Sequence, residues 1–391
     1  MEKLRLSDAC DVLNGYAFKS EEYVDEGIRV IRIANVQKGY IEDNDPVFYS
    51  INSKGLDRYM LKENDLLVSL TGNVGRVALI QNEMLPAALN QRVACLRLKN
   101  DKIIKRYLFH FLNSNFFEQQ CIQAAKGVAQ KNVSTEWLKN YEIPLYSIAE
   151  QMKIAGILDK VRNIIGFRND ELNVLDNLIK ARFVEMFGDP IINSFGIETK
   201  PMTDVCEIID GDRGKNYPTA DEFSDEGYCL FLNAKNVTST GFNFDTCMFI
   251  TKEKDELLRK GKLLKGDVVL TTRGTLGNLA FYTEDIPFEH VRINSGMVIL
   301  RMKQDVIDEV YFIEQFKMQL SNIKAKVASG SAQPQLPVST MNKINILIPG
   351  IEKQRQFADF VKQVDKSKVA VQKALDETQM LFDSLMQKYF V

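Results

Sequence analysis

Residues 61–76 of the chain read LKENDLLVSLTGNVGR, and residues 264–278 read LKGDVVLTTRGTLGN. In both stretches a Leu-Lys pair and an aspartate lead into a short apolar run, and a loop with two glycines follows. The stretches lie about two hundred residues apart. Self-similarity at a fixed offset is typical of a repeated structural unit. The sequence therefore predicts two copies of one fold.

Other blocks repeat in the same order at a similar offset, which is hard to obtain by chance. The matched pairs are Asn14-Gly15 with Asp210-Gly211, Ala34-Asn35-Val36 with Lys235-Asn236-Val237, Gly127-Val128-Ala129-Gln130 with Gly330-Ser331-Ala332-Gln333, and Ile143-Pro144 with Ile348-Pro349. Because these matches are collinear, each half of the chain should have the same architecture.

Each copy begins with about 140 residues of short β-like runs separated by Gly, Asn and Asp turns, together with a few helical stretches. Residues 28–36 and 65–70 are examples of the runs, and residues 105–124 of the helical stretches. This mixture is typical of a mixed α/β globular domain. After each Ile-Pro pair the pattern changes to helix, over residues 148–187 and 351–390, with almost no Gly or Pro inside.

Both helical segments carry apolar residues with a seven-residue period. A heptad seam leaves an apolar stripe that needs a partner, and two stripes in one chain can satisfy each other as an antiparallel or a parallel pair. The alternative is that both segments are ordinary bundle helices. The predicted seam is Ile154, Ile157, Val161, Ile164, Leu175 and Leu178, flanked by Leu158, Ile165, Leu172 and Ile179, in the first helix and Phe357, Phe360, Val364, Val371, Ala374, Leu381 and Leu385 in the second.

Helices of this length would set a fixed spacing between the two globular domains. At about 1.5 Å of rise per residue, roughly thirty-five to forty helical residues would hold the domains on the order of 50–60 Å apart. B-DNA repeats about every 34–36 Å, so two such domains would address grooves about one to two helical turns apart. The layout therefore predicts a bipartite target.

The composition is that of an ordinary soluble protein. Of 391 residues, 45% are hydrophobic and 26% are charged, with 50 basic and 52 acidic side chains. The length predicts two or three domains. The sequence has no apolar run of the length that spans a membrane, and MEKLRLSDAC at the N-terminus lacks the basic-then-apolar layout of a secretory signal. We therefore expect a cytoplasmic protein with no membrane role.

Catalytic and cofactor motifs are missing from the sequence. The two histidines, His110 and His290, lie in no recognisable motif, and the six cysteines never approach CxxC spacing. The chain has no GxxxxGK(S/T), GxGxxG or GxSxG motif. It also has no Pro-Pro pair, which the Asn/Asp-Pro-Pro-aromatic loop of a DNA-base methyltransferase would need. We therefore expect no catalytic residue, no metal site and no cofactor in this chain.

The layout resembles the specificity (S) subunit of Type I restriction-modification systems, which has two target recognition domains separated by helical spacers. Four local signatures carry the resemblance across essentially the whole chain. They are the GNVG and GTLG loops at residues 72–75 and 274–277, the GVAQ and GSAQ turns at residues 127–130 and 330–333, the Ile-Pro pairs followed by Glu150-Gln151 and Lys353-Gln354, and the segment ARFVEMFGDP at residues 181–190.

The resemblance implies an α+β fold in which two duplicated mixed α/β domains are each followed by a long helix, and the helices pair as an antiparallel coiled-coil-like spacer. The expected recognition domains are residues 1–146 and 190–349, and the expected spacers are residues 147–189 and 350–391. It also implies a non-catalytic reader of double-stranded DNA that docks two methyltransferase (M) subunits and recruits restriction (R) subunits. S-adenosylmethionine (SAM), ATP and Mg²⁺ are then expected in those partners.

Glycine-containing loops rich in Arg, Lys, Asn, Gln and Thr are the expected DNA contacts. Cations bind phosphate, Arg suits guanine, and Asn or Gln suits adenine. The alternatives are a plain hairpin turn for the first glycine loop and a solvated loop around Gln130. The candidates are Lys19, Thr71, Asn73, Arg76, Asn90, Gln91, Arg92, Lys126, Gln130 and Lys131 in the first domain and Lys215, Asn216, Arg273, Thr275, Asn278, Arg292, Asn294, Ser331, Gln333 and Gln335 in the second.

The two candidate sets differ at matching positions. Asn73 matches Thr275, and Lys131 matches Pro334, so we expect the two domains to read different half-sequences of an asymmetric target. The formal net charge is only −2, which gives no overall attraction to phosphate. The isolated chain is therefore expected to bind DNA weakly, with strong binding only in the complex.

Two other classes of function remain open from the sequence. One is an enzyme with an unrecognised metal site, for instance a nuclease that uses Asp65, Asp267 and Glu289. A solitary aspartate before an apolar strand is more simply a turn residue, since it cannot assemble a metal pair by itself. The other class is a scaffold whose duplicated domains bind proteins.

Overall fold

The structure of the chain is a computed structural model. It describes residues 2–125, 131–328 and 335–390, without the side chains of residues 326–328. The chain divides into two compact units, Met1–Asn169 with Lys373–Val391, and Asp170–Gln372. The globular part of the first unit is thus completed by residues from the far end of the sequence.

The first unit contains short strands, short helices and the start of a long helix. Its strands are β1 (Glu2–Arg5), β2 (Cys10–Asn14), β3 (Ile28–Ile31), β4 (Phe48–Tyr49), β5 (Leu66–Ser69), β6 (Val77–Leu79), β7 (Ala87–Leu89), β8 (Val93–Leu98) and β9 (Glu142–Leu145). Its helices are α1 (Leu6–Ala9), α2 (Lys105–Leu112), α3 (Asn115–Ala124), α4 (Thr135–Asn140) and α5 (Ile148–Phe187), of which α5 continues into the second unit.

The second unit repeats this order of elements. Its strands are β10 (Thr199–Pro201), β11 (Cys206–Asp210), β12 (Cys229–Leu232), β13 (Val237–Thr238), β14 (Gly241–Phe242), β15 (Phe249–Ile250), β16 (Val268–Thr271), β17 (Leu279–Phe281), β18 (Val291–Ile293), β19 (Met297–Met302) and β20 (Asn345–Leu347). Its helices are α6 (Met202–Val205), α7 (Lys252–Leu257), α8 (Glu309–Ala328), α9 (Val338–Met341) and α10 (Ile351–Phe390), which ends in the first unit. Over the described residues, no helix is long and apolar enough to span a membrane.

Each unit is built on a four-stranded antiparallel sheet. The strand order is β2-β8-β5-β6 in the first unit and β11-β19-β16-β17 in the second. The smaller sheet β4-β3-β7 matches β15-β12-β18, with one parallel pair in each, and the pair β1-β9 matches β10-β20. The second unit also has the hairpin β13-β14. The duplication predicted from the sequence is thus confirmed in the strand order.

The inner strands β5 and β16 of the two large sheets are buried on both faces, which explains their unbroken apolar sequences. Leu66 and Val68 of β5 lie in a core that includes Tyr107 of α2, whereas Leu67 lies in a separate core. Side chains alternate between the two faces of a strand, so one short apolar run contributes to both cores. The same alternation recurs along β16. The strand that leads into each glycine loop, β5 or β16, is therefore fixed between two packed layers.

The long helices begin and end where the sequence pattern predicts, at residues 148–187 and 351–390. In the first unit, Leu158 of α5 shares a core with Met386 of α10. In the second, Phe183 of α5 lies against Phe357 of α10, with ring centroids 5.4 Å apart. Early residues of one helix thus pack with late residues of the other. The helices therefore run antiparallel, in agreement with the expected fold class.

The predicted seam of α5 is partly wrong. Leu158, which the heptad pattern places at the flank, is fully buried, whereas Ile164 and Leu178 of the predicted seam are 43% and 46% exposed. Apolar residues occupy two neighbouring rows of this helix, and either row fits a seven-residue period. The row of Ile164 and Leu178 is interrupted by Glu171, while Leu172 continues the row of Leu158. The interrupted row is the exposed one.

The other predicted seam residues span all degrees of burial. Leu381 of α10 is 51% exposed, because its neighbour Phe382 takes the inward position, with its ring centroid 6.5 Å from that of His110. The placement of Leu381 in the seam is therefore wrong. Buried residues are Ile154, Val161, Ile179, Phe357 and Val364, and half-buried residues are Ile157, Ile165, Leu172, Leu175, Phe360, Val371, Ala374 and Leu385.

Candidate nucleic-acid interface

The glycine loop of the first unit is held by the hydroxyl that ends strand β5. Ser69 Oγ donates to the carbonyl of Asn73 and accepts from the amide of Arg76 at 3.0 Å. Gly75 has a φ of 80°, in the left-handed region that favours glycine, and a Cβ there would lie 2.9 Å from Cys121 Cβ of α3. The loop is therefore a fixed turn packed against a helix. Asn73 is exposed on it.

The second unit repeats this turn with a threonine hydroxyl. Thr271 Oγ1 donates to the carbonyl of Thr275 and accepts from the amide of Asn278 at 2.9 Å. Gly277 has a φ of 90°, and a Cβ there would lie 2.4 Å from Leu320 Cδ1 of α8. Thr275 is exposed, like the residue that it matches in the first unit. The two loops are thus the same scaffold carrying different side chains.

Backbone hydrogen bonds bring the predicted loops of the first unit together. The amide of Leu70 donates to the carbonyl of Arg92 at 2.9 Å, and the amide of Gly72 donates to the carbonyl of Lys131 at 2.9 Å. The amide of Gln91 donates to the carbonyl of Tyr16, also at 2.9 Å. We call the resulting surface the first loop face; it comprises residues 14–19, 71–76, 90–92 and 131–132.

Equivalent bonds assemble a second loop face. The amide of Thr272 donates to the carbonyl of Gly296 at 2.8 Å, and the amide of Leu336 donates to the carbonyl of Thr272 at 3.1 Å. Arg213 Nη2 donates to the carbonyl of Ser295 at 3.2 Å. Among the residues that line one cavity of this face are Arg213, Arg273 and Gln335. The second loop face comprises residues 211–216, 271–278, 294–296 and 335–336.

Both loop faces carry exposed cations. Arg92 and Lys131 on the first face, and Lys215 and Arg273 on the second, are exposed and form no ion pair within the described parts of the chain. Lys19 is also exposed, but it pairs with Glu22 at 3.2 Å, and the hydrogen bond to that carboxylate raises its pKa. Unpaired guanidinium and ammonium groups can bind phosphate. The faces therefore have a local positive charge that the overall balance of the chain conceals.

Two of the residues predicted to contact DNA form hydrogen bonds that support the loops. Arg76 Nη1 donates to Gln37 Oε1, and Asn278 Nδ2 donates to the carbonyl of Val237 at 2.9 Å. Both side chains are half-buried and occupy the same position of the repeat. Each of these side chains therefore ties its glycine loop to the turn that contains its acceptor. Reading of a base by these side chains would require these bonds to break.

Two asparagines of the second candidate loop shape their own turns. Asn90 Oδ1 accepts from the amide of Arg92 at 3.2 Å, and Asn294 Oδ1 accepts from the amide of Gly296 at 2.8 Å. This pattern is the local bonding by which asparagine stabilises turns. Each therefore positions the residues that follow it. Two further candidates are also engaged, Thr71 Oγ1 with Asn132 Oδ1 at 3.3 Å and Asn216 Nδ2 with the Leu257 carbonyl at 3.2 Å.

The placement of Arg292 among the DNA readers is wrong. The residue is 5% exposed and lies in strand β18, where its guanidinium pairs with Asp255 of α7. It also donates to the carbonyls of Lys260 and Leu258, at 2.8 and 3.1 Å. Because a strand alternates its side chains, Arg292 points to the face of the sheet on which α7 lies. It is a buried structural cation.

Four of the predicted contacts lie outside the described residues. They are Lys126, Gln130, Ser331 and Gln333. Their described neighbours, Lys131 and Gln335, are exposed and belong to the first and second loop faces.

The structure adds two residues that the sequence reasoning missed. Tyr16 is 37% exposed on the first loop face, and its ring lies 5.0 Å from that of Phe18 in an edge contact. Arg213 lies on the second face. Tyr16 directly follows the repeated Asn14-Gly15 block and Arg213 comes two residues after Asp210-Gly211, so the repeat itself contains a signal for them.

The aspartates that an enzyme would need are committed to structural ion pairs. Arg97 Nε donates to Asp65 Oδ1 at 2.9 Å, and Arg301 Nε donates to Asp267 Oδ1 at 2.9 Å, in the same place of the two units. Glu289 is exposed and belongs to neither pair. Within the described ranges, no three His, Cys, Asp or Glu side chains come together as ligands for a metal ion.

Comparison with known protein families finds the same duplication. The model of a family described as the Type I restriction modification DNA specificity domain matches residues 1–177 and again residues 196–378. The chain belongs to this family. Membership of the DNA specificity domain family agrees with the expected fold, because each matched segment covers one globular region and most of the helix that follows it.

Relatives in the specificity domain family match the chain along nearly its whole length. The chain is 23% identical to the Type I restriction enzyme EcoBI specificity subunit of Escherichia coli, over 99% of this chain and 85% of that protein. The S subunit structure from M. genitalium matches with a TM-score of 0.56 at 17% identity, covering 100% and 96% of the two chains. A chain from a structure of complex assembly and conformational transition in the type I R-M system gives a TM-score of 0.55 at 18% identity, covering 99% and 96%. These structural matches support the fold.

Proposed function

We propose that this chain is the non-catalytic DNA sequence-recognition subunit of a Type I restriction-modification complex and that it reads a bipartite, asymmetric DNA target. The observation that carries the proposal is a contrast inside the repeat. The aspartates and asparagines that support the loops are the same in both units, whereas loop-face positions that are exposed in at least one unit differ.

The supporting positions are matched in residue and in geometry. Asp65 and Asp267 each accept from an arginine of the adjacent strand and from a backbone amide, that of Lys62 at 2.8 Å and that of Leu264 at 2.7 Å. The matched asparagines of the two units each bond backbone groups of the neighbouring turn. Such groups hold the loops but carry no sequence information.

The exposed positions differ in hydrogen-bonding chemistry. A guanidinium suits a guanine edge and an amide suits an adenine edge, so the two faces suit different bases. The matched pairs in which at least one residue is exposed, first face then second, are Thr71 and Arg273, Asn73 and Thr275, Gln91 and Ser295, and Arg92 and Gly296; of these residues Thr71 is buried, and Ser295 and Gly296 are half-buried. Two copies of one scaffold with different reading side chains support a target whose halves differ in sequence.

The long helices support docking of the enzymatic partners. Phe167 and Val174 of α5 are 71% and 64% exposed, and Val369 and Met380 of α10 are 70% and 72% exposed. Apolar side chains left exposed on these helices are available for packing against a protein partner. In the proposed complex these helices dock two M subunits, and the assembly recruits R subunits. The solved type I R-M assembly among the structural matches supports such a complex.

The chemistry of the proposed complex belongs to the partners. The M subunits would bind SAM and methylate adenine N6, and the R subunits would use ATP and Mg²⁺ to translocate and cleave DNA. This chain would supply double-stranded DNA recognition and no cofactor site. A complex of this kind acts on DNA in the cytoplasm. With a net charge of −2, the isolated chain should bind DNA weakly and the complex strongly.

The decisive experiment is to co-express the chain with its adjacent methyltransferase gene and to map N6-methyladenine in the host genome. We expect one interrupted, asymmetric motif, which disappears when either globular region is deleted. The methyltransferase expressed alone is the control and should leave that motif unmodified. Unmodified DNA in the co-expressing strain would overturn the proposal.

Two further measurements separate the other classes of function. Purified chain incubated with duplex DNA and Mg²⁺ should leave the DNA intact; cleavage would identify an enzyme. Binding of duplex DNA should appear when the methyltransferase is added. Failure to bind any duplex in the presence of that partner would favour a protein-binding scaffold.

A further inference from the structure

The turn at residues 36–41 of the first unit contacts both a long helix and a loop of the first loop face. Gln37 Oε1 on this turn accepts from Nη1 of Arg76, which directly follows the first glycine loop. The carbonyl of Gly39, two residues later, accepts from Nη2 of Arg162 on α5 at 3.2 Å. We call residues 36–41 the first turn. It connects the helix to the loop by side-chain hydrogen bonds at both ends.

Further contacts fix the position of the first turn. The amide of Gly39 donates to the carbonyl of Val77 in β6 at 2.8 Å, and Lys38 Nζ donates to Glu118 Oε2 of α3 at 2.8 Å. Gly39 has a φ of 89°, and a Cβ there would overlap Nη2 of Arg162. Glycine is therefore required for the close approach of the helix arginine.

Arg162 is half-buried without a carboxylate partner. Burial lowers the pKa of its guanidinium, and the residue forms no ion pair within the described parts of the chain. Its contacts are the bond to Gly39 and the ring of Phe109, whose centre lies 5.0 Å from the guanidinium. Partial burial of an unpaired cation costs free energy. Positions at which a protein keeps such an unfavourable arrangement are often functional.

The second unit has a matching turn, residues 237–242, without a link to its long helix. Asn278 Nδ2 donates to a carbonyl of this turn at 2.9 Å, so the bond to the glycine loop is kept. On α10 the residue that matches Arg162 is Asp365, which is exposed and pairs with Lys368 at 3.5 Å. Among the described residues, no hydrogen bond joins Asp365 to the matching turn.

The surroundings of the matching turn agree with this difference. Thr238 Oγ1 donates to the carbonyl of Gly241 at 2.9 Å, so the turn bonds to itself. A cavity of about 740 Å³ lies beside it, lined among others by Val237, by Thr275 of the second glycine loop and by Lys324 of α8. The fold therefore does not require a link between turn and helix, and the link through Arg162 distinguishes the first unit from the second.

We infer that Arg162 is a positioning residue for the DNA contacts of the first loop face. It holds Gly39, and the first turn in turn holds Arg76 through Gln37. The glycine loop that ends at Arg76 carries the exposed Asn73. A base contact requires its side chain to be held to within about half an ångström by the groups around it. The inference rests on the proposed function, and it makes the reading of one half-site depend on a long helix.

The test measures how well the complex with the methyltransferase distinguishes its target from duplexes altered in one half at a time. Arg162→Ala should lower this ratio of affinities by about three- to tenfold for one half and leave it unchanged for the other, because support equivalent to about one hydrogen bond is lost. A ratio does not depend on the fraction of chain that is folded, so a loss of stability alone would not change it. Arg162→Lys keeps a donor and should lose less.

Gly39→Ala disturbs the same contact from the side of the turn. Its Cβ would displace Nη2 of Arg162, so discrimination should fall in the same half of the target. The double substitution should cost no more than the larger single one, because both remove one interaction. Gly39→Ala decides the question should Arg162→Ala not fold.

Two variants serve as controls. Asp365→Ala, at the matching position of α10, should leave both ratios unchanged. Leu158→Ala should do the same, since Leu158 is buried in the same part of α5 but its side chain makes no hydrogen bond to the first turn.

Three outcomes would overturn the inference: unchanged ratios in folded Arg162→Ala and Gly39→Ala complexes, an equal loss at both halves, or the same one-sided loss in Leu158→Ala. An unaltered complex that distinguishes no sequence would instead overturn the proposed function itself.

Discussion

Gln151 is a buried amide that fastens the start of α5 to the first unit. Its Oε1 accepts from the amide of Ile104 at 2.9 Å, and its Nε2 donates to the carbonyls of Lys102 and Tyr146, each at 2.9 Å. Gln354 makes the three equivalent bonds at the start of α10. The motif of an Ile-Pro pair followed by Gln is therefore a structural clamp. It fixes where each long helix leaves its globular region.

Loss of this clamp should destabilise the protein. Gln151→Ala removes three hydrogen bonds and leaves one amide and two carbonyls unpaired, so we expect the free energy of unfolding to fall by about 2–4 kcal/mol. Met152→Ala, at a neighbour that is 62% exposed, should change it by less than about 0.5 kcal/mol. Urea denaturation of both variants measures the difference. Equal effects of the two substitutions would contradict a clamp.

A substitution of Arg273 can test whether a residue of the second loop face reads only one half of the target. It is exposed on the second loop face, and Thr71 occupies the matching place on the first. Arg273→Ala in the complex with the methyltransferase should reduce discrimination at one half-site by about 1–3 kcal/mol and leave the other half-site unchanged. Binding to duplexes altered in one half at a time gives the measurement.

Asn73→Ala, at an exposed residue of the first loop face, is the control for that substitution, and it should affect only the opposite half-site. A uniform loss at both halves, together with a salt dependence reduced by about 0.9 in log-log slope, would instead identify Arg273 as a phosphate contact.

At the scale of elements, the α5–α10 pair shows what a periodic sequence determines. The helix bounds could be predicted because Gly and Pro are nearly absent between residues 148 and 187. The buried row could not be chosen from periodicity, since Ile157 and Leu158 each begin an acceptable heptad row. Burial of Leu158 depends on the core that the rest of the first unit builds.

Substitutions in the two rows should therefore differ in cost. Leu158→Ala opens a void in a core that includes Phe390 and Met386, and we expect a loss of about 2–4 kcal/mol in the free energy of unfolding. Ile164→Ala, at a residue that is 43% exposed, should cost less than about 1 kcal/mol. Thermal and urea unfolding can rank the pair. A larger loss of unfolding free energy for Ile164→Ala than for Leu158→Ala would instead support the seam predicted from the sequence.

The loop faces depend on contacts between distant elements, and the sequence predicts them less well. Strand order places Arg92 beside Leu70, and no local pattern encodes that pairing. The prediction for Arg292 was wrong because its partner Asp255 lies 37 residues away along the chain, where no local pattern reveals it. The glycine loops, in contrast, were predictable, since left-handed φ angles and close packing require glycine locally.

At the scale of the whole molecule, the duplication distinguishes residues that support the fold from residues that would recognise DNA. Both units share the sheet order and the clamps at the helix starts, whereas the exposed loop-face residues differ. A recognition region should therefore be transferable between the two sites. In a chimera whose residues 2–145 are replaced by residues 199–347, both sites would present the second loop face.

This chimera, co-expressed with the methyltransferase, should methylate a motif whose two half-sequences are the same, each being the half read by the second unit. Mapping of N6-methyladenine against the unaltered chain gives the comparison, and co-purification with the methyltransferase shows that the chimera has folded. The reciprocal exchange, residues 199–347 replaced by residues 2–145, should give a motif made of the other half-sequence alone. Retention of the original asymmetric motif by either chimera would mean that the bases are read outside the exchanged regions, and the loop faces would lose their assignment.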